Sequence, residues 1–189
     1  EELNRARQLA AETEALRKAT VDAPAQIAQL ERQLELAEQQ ASRPVPAPSV
    51  DGIATEDVAQ RVTDERLTRD RMQLDVDSLA RAIAEVEQRA AQTQRRREDA
   101  QSTLIRLRAE LGETRAGRTT LAQATEALRS ARIEALQAEL DWLDREVAYR
   151  PTQTRITRLK RDLARLQLAG KNAELQAWLD ALAKKNQQD

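Results

Sequence analysis

The sequence predicts an all-α fold: an elongated bundle of antiparallel helical hairpins with one very long central helix and coiled-coil-like packing. Three observations carry this. Of the 189 residues, 33% are charged and only 2% aromatic, the balance of long solvated helices rather than of a sheet or a compact aromatic core. The four glycines and five prolines leave few places where a helix can be broken. Between those places the apolar residues recur at spacings of three and four, the period of a helix face. A single elongated helical domain over residues 1–189 is therefore expected.

The breaks fall near Ala23-Pro24, Ser42 to Ala54, Gly112 to Arg118 and Arg150-Pro151, with Gly170 as a further bend or end. They divide the chain into helices at about 1–21, 24–41, 55–112, 119–148, 151–169 and 171–187. In 24–41 the series Ile27, Leu30, Leu34, Ala37, Ala41 steps by three and four. The stretch "ASRPVPAPSVDGIATED" interrupts this pattern. Its alternating prolines stiffen the chain toward polyproline II, and Thr55 is placed to cap the next helix, so residues 42–54 read as the proline-rich turn of a helical hairpin. A docking site for a proline-binding partner is the rival reading of that turn.

From Val58 to Leu111 one heptad phase runs through Val62, Met72, Val76, Leu79, Ile83, Val86, Ala90, Ala100, Leu104 and Leu107. A helix of this span is roughly 87 Å long at about 1.5 Å per residue. Glu65, Arg69, Thr93 and Arg97 interrupt its seam, which predicts different partners along its length rather than one identical copy. Thr120 to Gln123 reads as a capping box opening the next helix. That helix carries two apolar stripes, Leu121 to Trp142 and Ile133 to Val147, a face wide enough for at least three packed helices. After Pro151 the pattern resumes with Ile156, Leu159, Leu163 and Leu166, and beyond Gly170 with Leu175, Trp178, Leu179 and Leu182.

Chemistry is sparse. The chain has no Cys and no His, which removes thiol and Ser/His/Asp nucleophiles, disulfides and the usual zinc ligands. No catalytic, cofactor-binding or metal-binding residue is assigned, and no enzyme activity or small-molecule substrate is expected. Lys and Arg number 31 against 32 Asp and Glu, so no nucleic-acid partner is expected either. "GETRAGRT", Gly112 to Thr119, scans like a P-loop with Arg118 at the lysine position, but the "LIRLRAEL" before it is a charged helix rather than a buried strand. Asp141 and Asp144 are spaced as a carboxylate pair, yet Asp141–Arg145 and Glu146–Arg150 are local helical ion pairs that account for the acids more simply. The run Arg95-Arg96-Arg97, followed by Glu98-Asp99, reads as exposed surface.

The last third is electrically lopsided. Glu134 to Tyr149 holds five acids and one base, whereas Arg150 to Lys171 holds seven bases and one acid. Two antiparallel helices joined at Arg150-Pro151 and attracting each other are the preferred reading; a basic amphipathic helix on anionic lipid is the other.

No apolar run approaches the roughly 20 residues needed to cross a bilayer. The chain opens on Glu1 rather than Met, without an apolar leader before Asp22, as a processed chain or an excised fragment does.

The stretches "LRAELGETRAGRTTLAQATEALRSARIEALQAELDWL" and "RITRLKRDLARLQLAGKNAELQAWLDALAKKNQQ" resemble the N-terminal periplasmic domain of large MscS-family mechanosensitive channels of the MscK and MscM type. "PAQIAQLERQLELAEQQ", the proline turn and "TEDVAQRVTDERLTRDRMQLD" are similar to the first hairpin of that domain, so the resemblance covers nearly the whole chain. It departs in lacking a proline after Thr120. The resemblance implies a non-catalytic periplasmic portion of an inner-membrane channel that opens under membrane tension after osmotic shock. Neighbouring subunits of the same channel are its implied partners in a homo-oligomer, with lipid as a further contact. A free-standing coiled-coil scaffold or efflux-type adaptor hairpin, and a lipid-binding helical protein, are the alternatives the residues leave open.

Overall fold

The computed structural model describes residues 1–113 and 120–187, and these form three α-helices. Helix α1 spans Glu2–Ala41, α2 spans Thr55–Glu113 and α3 spans Thr120–Asn186, with no strand among the described residues. The all-α class stands. The long helix expected from the heptads is α2, of 59 residues, and α3 is longer still at 67.

Three expected helix boundaries are absent. Residues 1–21 and 24–41 are one helix running through Pro24, and the three helices placed between 119 and 187 are one helix running through Pro151 and Gly170. An interior proline removes a backbone hydrogen bond and crowds the carbonyl four residues back, costing about 3 kcal/mol. Burial on either side offsets this. Ala23 is 1% exposed and Leu30 is buried beyond Pro24, while Leu143 (0% exposed) and Ile156 flank Pro151, and each large side chain buried contributes about 1.5–3 kcal/mol. Both proline rings face solvent, where the ring itself displaces no packing.

The chain divides into two units, each built from segments of all three helices. Unit 1 comprises Glu1–Pro24 and Glu85–Thr154; its core is Leu9, Ala23, Ala100, Leu104, Leu107, Ala135 and Leu143. Unit 2 comprises Ala25–Ala84 and Arg155–Asp189; its core is Leu30, Val58, Val62, Val76, Ile83, Ile156, Leu168, Leu175 and Ala181. The wide apolar face expected for the stretch ending at Ala148 is covered only in part: Ala135 and Leu143 are buried, whereas Leu121, Leu128 and Val147 remain exposed. The heptad residues of α2 supply much of both cores.

In unit 2, Arg155 of α3 meets Glu31 of α1 while Lys171 of α3 meets Glu65 of α2, and Lys185 reaches Val50 just before α2. The end of α1, Ala37 to Ala41, lies beside residues 166–174 of α3, so contacts climb α1 and α3 together and descend α2, and α2 is antiparallel to the other two segments.

The link from α1 to α2, residues 42–54, is shaped at its end by a tight turn. Ile53 N–H donates to Val50 O at 3.2 Å, and Gly52 has φ 75°, the left-handed value that a type II turn needs at its third position. Lys185 Nζ donates to the same Val50 carbonyl at 3.3 Å. Ala54, rather than the expected Thr55, stands at the cap: its carbonyl accepts the first helical bond, from Val58 N–H at 3.2 Å, and Glu56 and Asp57 face the positive helix end. Gly52→Val should destabilise unit 2 by about 1–2 kcal/mol through backbone strain alone, since no atom lies within 4 Å of a Cβ there. A urea titration showing no loss would contradict the turn geometry.

Candidate functional site

Among the described residues, each unit has one buried carboxylate that sequence periodicity alone leaves unexplained. In unit 1 this is Glu139 of α3, 6% exposed. Its Oε2 accepts from Arg5 Nη2 of α1 at 2.8 Å and its Oε1 from Arg96 Nη2 of α2 at 2.6 Å, so one side chain ties together all three helices. The Arg96 guanidinium also lies over the Trp142 ring, 5.8 Å from its centroid. Nearby, Arg97 Nε meets Asp144 Oδ1 at 2.7 Å, and Thr93, 5% exposed, donates its hydroxyl to Arg89 O at 3.0 Å with the Glu146 carboxylate 3.4 Å away.

Unit 2 repeats the device between α2 and α3, with the acid on α2. Glu65 of α2, also 6% exposed, meets Lys171 Nζ of α3 at 2.7 Å and Arg61 Nη2 at 3.2 Å. Lys171 is held by Glu174 as well, at 2.6 Å, and Arg61 lies over Trp178 at 5.8 Å. A buried carboxylate is costly unless it is paired and hydrogen-bonded, so each bridge fixes which residue of one helix stands beside which of another. Sliding either helix by one turn, about 5.4 Å, would strand the charge.

Hydrogen bonds to Glu174 and then to Glu65 raise the Lys171 ammonium above its usual range. A raised lysine contributes stability that is complete below the unfolded-state value and is lost as pH climbs through the folded one. Stability should therefore fall above about pH 10.4, the ordinary lysine value. Lys171→Met should flatten that alkaline limb in pH-dependent urea titrations, and an unchanged limb would refute the bridge.

These bridges revise the electrostatic reading of the sequence. The acidic stretch 134–149 and the basic stretch 150–171 belong to one uninterrupted helix and do not fold back on each other. Glu139 and Asp144 pair with α1 and α2, and Arg155 and Lys171 pair with Glu31 and Glu65. Of the bases in 150–171, Arg150, Arg155, Arg161 and Lys171 sit in intramolecular ion pairs, which weakens the lipid-surface reading. Arg96 and Arg97 are interhelical ligands rather than mere exposed surface. The local pairs Asp141–Arg145 at 3.4 Å and Glu146–Arg150 at 3.7 Å are present as expected. Arg69 turns to its neighbour Asp70 at 2.9 Å. The P-loop-like "GETRAGRT" lies outside the described residues but for the helical backbone of Gly112 and Glu113.

Two clefts open beside the Glu65 bridge, within unit 2. The larger, about 560 Å³, lies between the end of α1, the turn residues Arg43, Pro44 and Val45, and residues 166–174 of α3. The smaller, about 270 Å³, is lined by Pro46, Pro48, Arg61, Glu65 and Trp178 and shares Val45, Lys171 and Glu174 with the first. The prolines of the turn thus line clefts along their own α3, a structural use for residues whose rival reading was an external docking motif. No group of three or more acidic residues suited to a metal occurs among the described residues.

Both units are all-helical, and each is tied across helices by a buried ion bridge. The chain belongs to the mechanosensitive ion channel porin domain family, whose model matches it over residues 1–189. No curated protein and no solved structure matches it. No described helix is long and apolar enough to cross a membrane.

Proposed function

We propose that this chain is the periplasmic helical domain of a large MscS-type mechanosensitive channel in the inner membrane, a non-catalytic element that adjusts gating during osmotic shock. The family match over residues 1–189 carries this reading. The bridges supply a physical basis for it. Helices pinned in register by Glu139 and Glu65 resist sliding under load, which is what a part that bears or transmits force requires. Its partners in this reading are the neighbouring subunits of the same channel.

The test is patch-clamp recording of the full-length channel in spheroplasts lacking other mechanosensitive channels, with and without this domain. Deletion is expected to shift the pressure threshold and the survival of hypoosmotic shock while leaving unitary conductance unchanged. An unchanged threshold together with unchanged survival would remove the gating role. Altered conductance would instead make the domain part of the permeation path.

A further inference from the structure

The larger cleft has features that the packing of unit 2 does not account for. Its walls are small and apolar, chiefly Ala37, Ala41, Leu166, Ala169, Gly170 and Ala173, all half-buried or exposed, so that it is an open groove of about 560 Å³ rather than an enclosed cavity. Gly170 sits inside a 67-residue helix, where glycine costs about 1 kcal/mol relative to alanine. A Cβ added there meets nothing within 4 Å, so no neighbour in the fold demands the glycine. Its effect is to bare the α3 backbone to whatever enters the cleft.

The polar lining has a sign. Lys171 and Glu174 neutralise each other at 2.6 Å. Arg43 is left over: its guanidinium makes no ion pair or side-chain hydrogen bond with the described residues, and the amides of Gln40 and Gln167 on the same lining are likewise uncommitted. The cleft therefore combines an apolar wall with one surplus positive charge and two amides at its polar edge.

We propose that this cleft binds a small anionic amphiphile, a carboxylate or phosphate head held by Arg43 with an aliphatic body laid along Ala41 and the bare backbone of Gly170. The shared chemistry is a single anionic head on a short hydrocarbon tail; the experiment separates carboxylate from phosphate. The inference stands apart from the gating role, because it is read in binding and not in channel opening.

Calorimetric titration of the intact chain with octanoate, octyl phosphate, octanol and inorganic phosphate, all below micellar concentration, tests it. Saturable binding of octanoate or octyl phosphate is expected, at least tenfold tighter than octanol or inorganic phosphate. Whichever of the two binds more tightly names the head group. Arg43→Gln should weaken it about tenfold or more, the loss expected for one charge-assisted hydrogen bond. Gly170→Leu should abolish it by filling the cleft, with helix content by circular dichroism unchanged. Octanol binding as tightly as octanoate, inorganic phosphate binding as tightly as octyl phosphate, no saturable heat from either amphiphile, or indifference to both substitutions would each overturn the proposal.

Discussion

Replacing Arg5 and Arg96 together by alanine is expected to destabilise unit 1 by about 3 kcal/mol, whereas Glu139→Leu is expected to be neutral or stabilising. The asymmetry arises from exposure. The two arginine side chains are 54% and 53% exposed and recover water when the pair is broken, but the Glu139 side chain alone is 8% exposed and, without them, is left as a buried charge. Solvent around the guanidinium groups places the double substitution near the lower end of the 3–5 kcal/mol found for stranded buried charges. Either single substitution should cost less than half the double, since one cation still serves the carboxylate. Adding Glu139→Leu to the double variant should restore most of the loss in a urea titration. A double variant as stable as the parent would show that Glu139 does not hold the three helices together.

The second large effect has the opposite sign. Pro24→Ala and Pro151→Ala should each stabilise the chain by about 2 kcal/mol. The figure takes about 3 kcal/mol for relieving an interior proline and subtracts about 0.4–1 kcal/mol for the greater freedom alanine gives the unfolded chain. Both positions are exposed, so neither substitution opens a cavity. Thermal or urea unfolding checks it: a loss of stability at either position would mean that the proline is favoured by its surroundings and that the helix is not continuous there.

These same prolines mark the limit of what the sequence alone makes legible. Periodicity places the apolar faces well: Val62, Val76, Ile83, Leu104 and Leu107, chosen by heptad phase, are all buried. The interruptions at Glu65 and Thr93 are visible too, because charged or hydroxyl residues on a seam stand out against leucine and valine. Their partners are not. Glu65 finds Lys171 and Thr93 finds Glu146 across helices, 106 and 53 residues away in the chain, and no local spacing encodes such a meeting. The error at Pro24 and Pro151 has a related cause. A local cost near 3 kcal/mol argues for a break, but what opposes it, the burial of Ala23 and Leu30 around Pro24 and of Leu143 and Ile156 around Pro151, is tertiary and has no local signal. Arg43 and Gly170 give no signal of a cleft, since the turn meets α3 only in the folded chain.

The two arginine-covered indoles have a practical consequence. The chain has just two tryptophans, and they fall one to each unit: Trp142 in the first and Trp178 in the second. Each lies beneath a guanidinium that departs when its bridge opens, so each indole's emission reports its own half of the molecule. Swapping either one for phenylalanine silences one half optically. With no native cysteine in the way, a single introduced thiol can then carry a dye to either half, and the order in which the halves come apart under heat, denaturant or pulling force becomes directly observable.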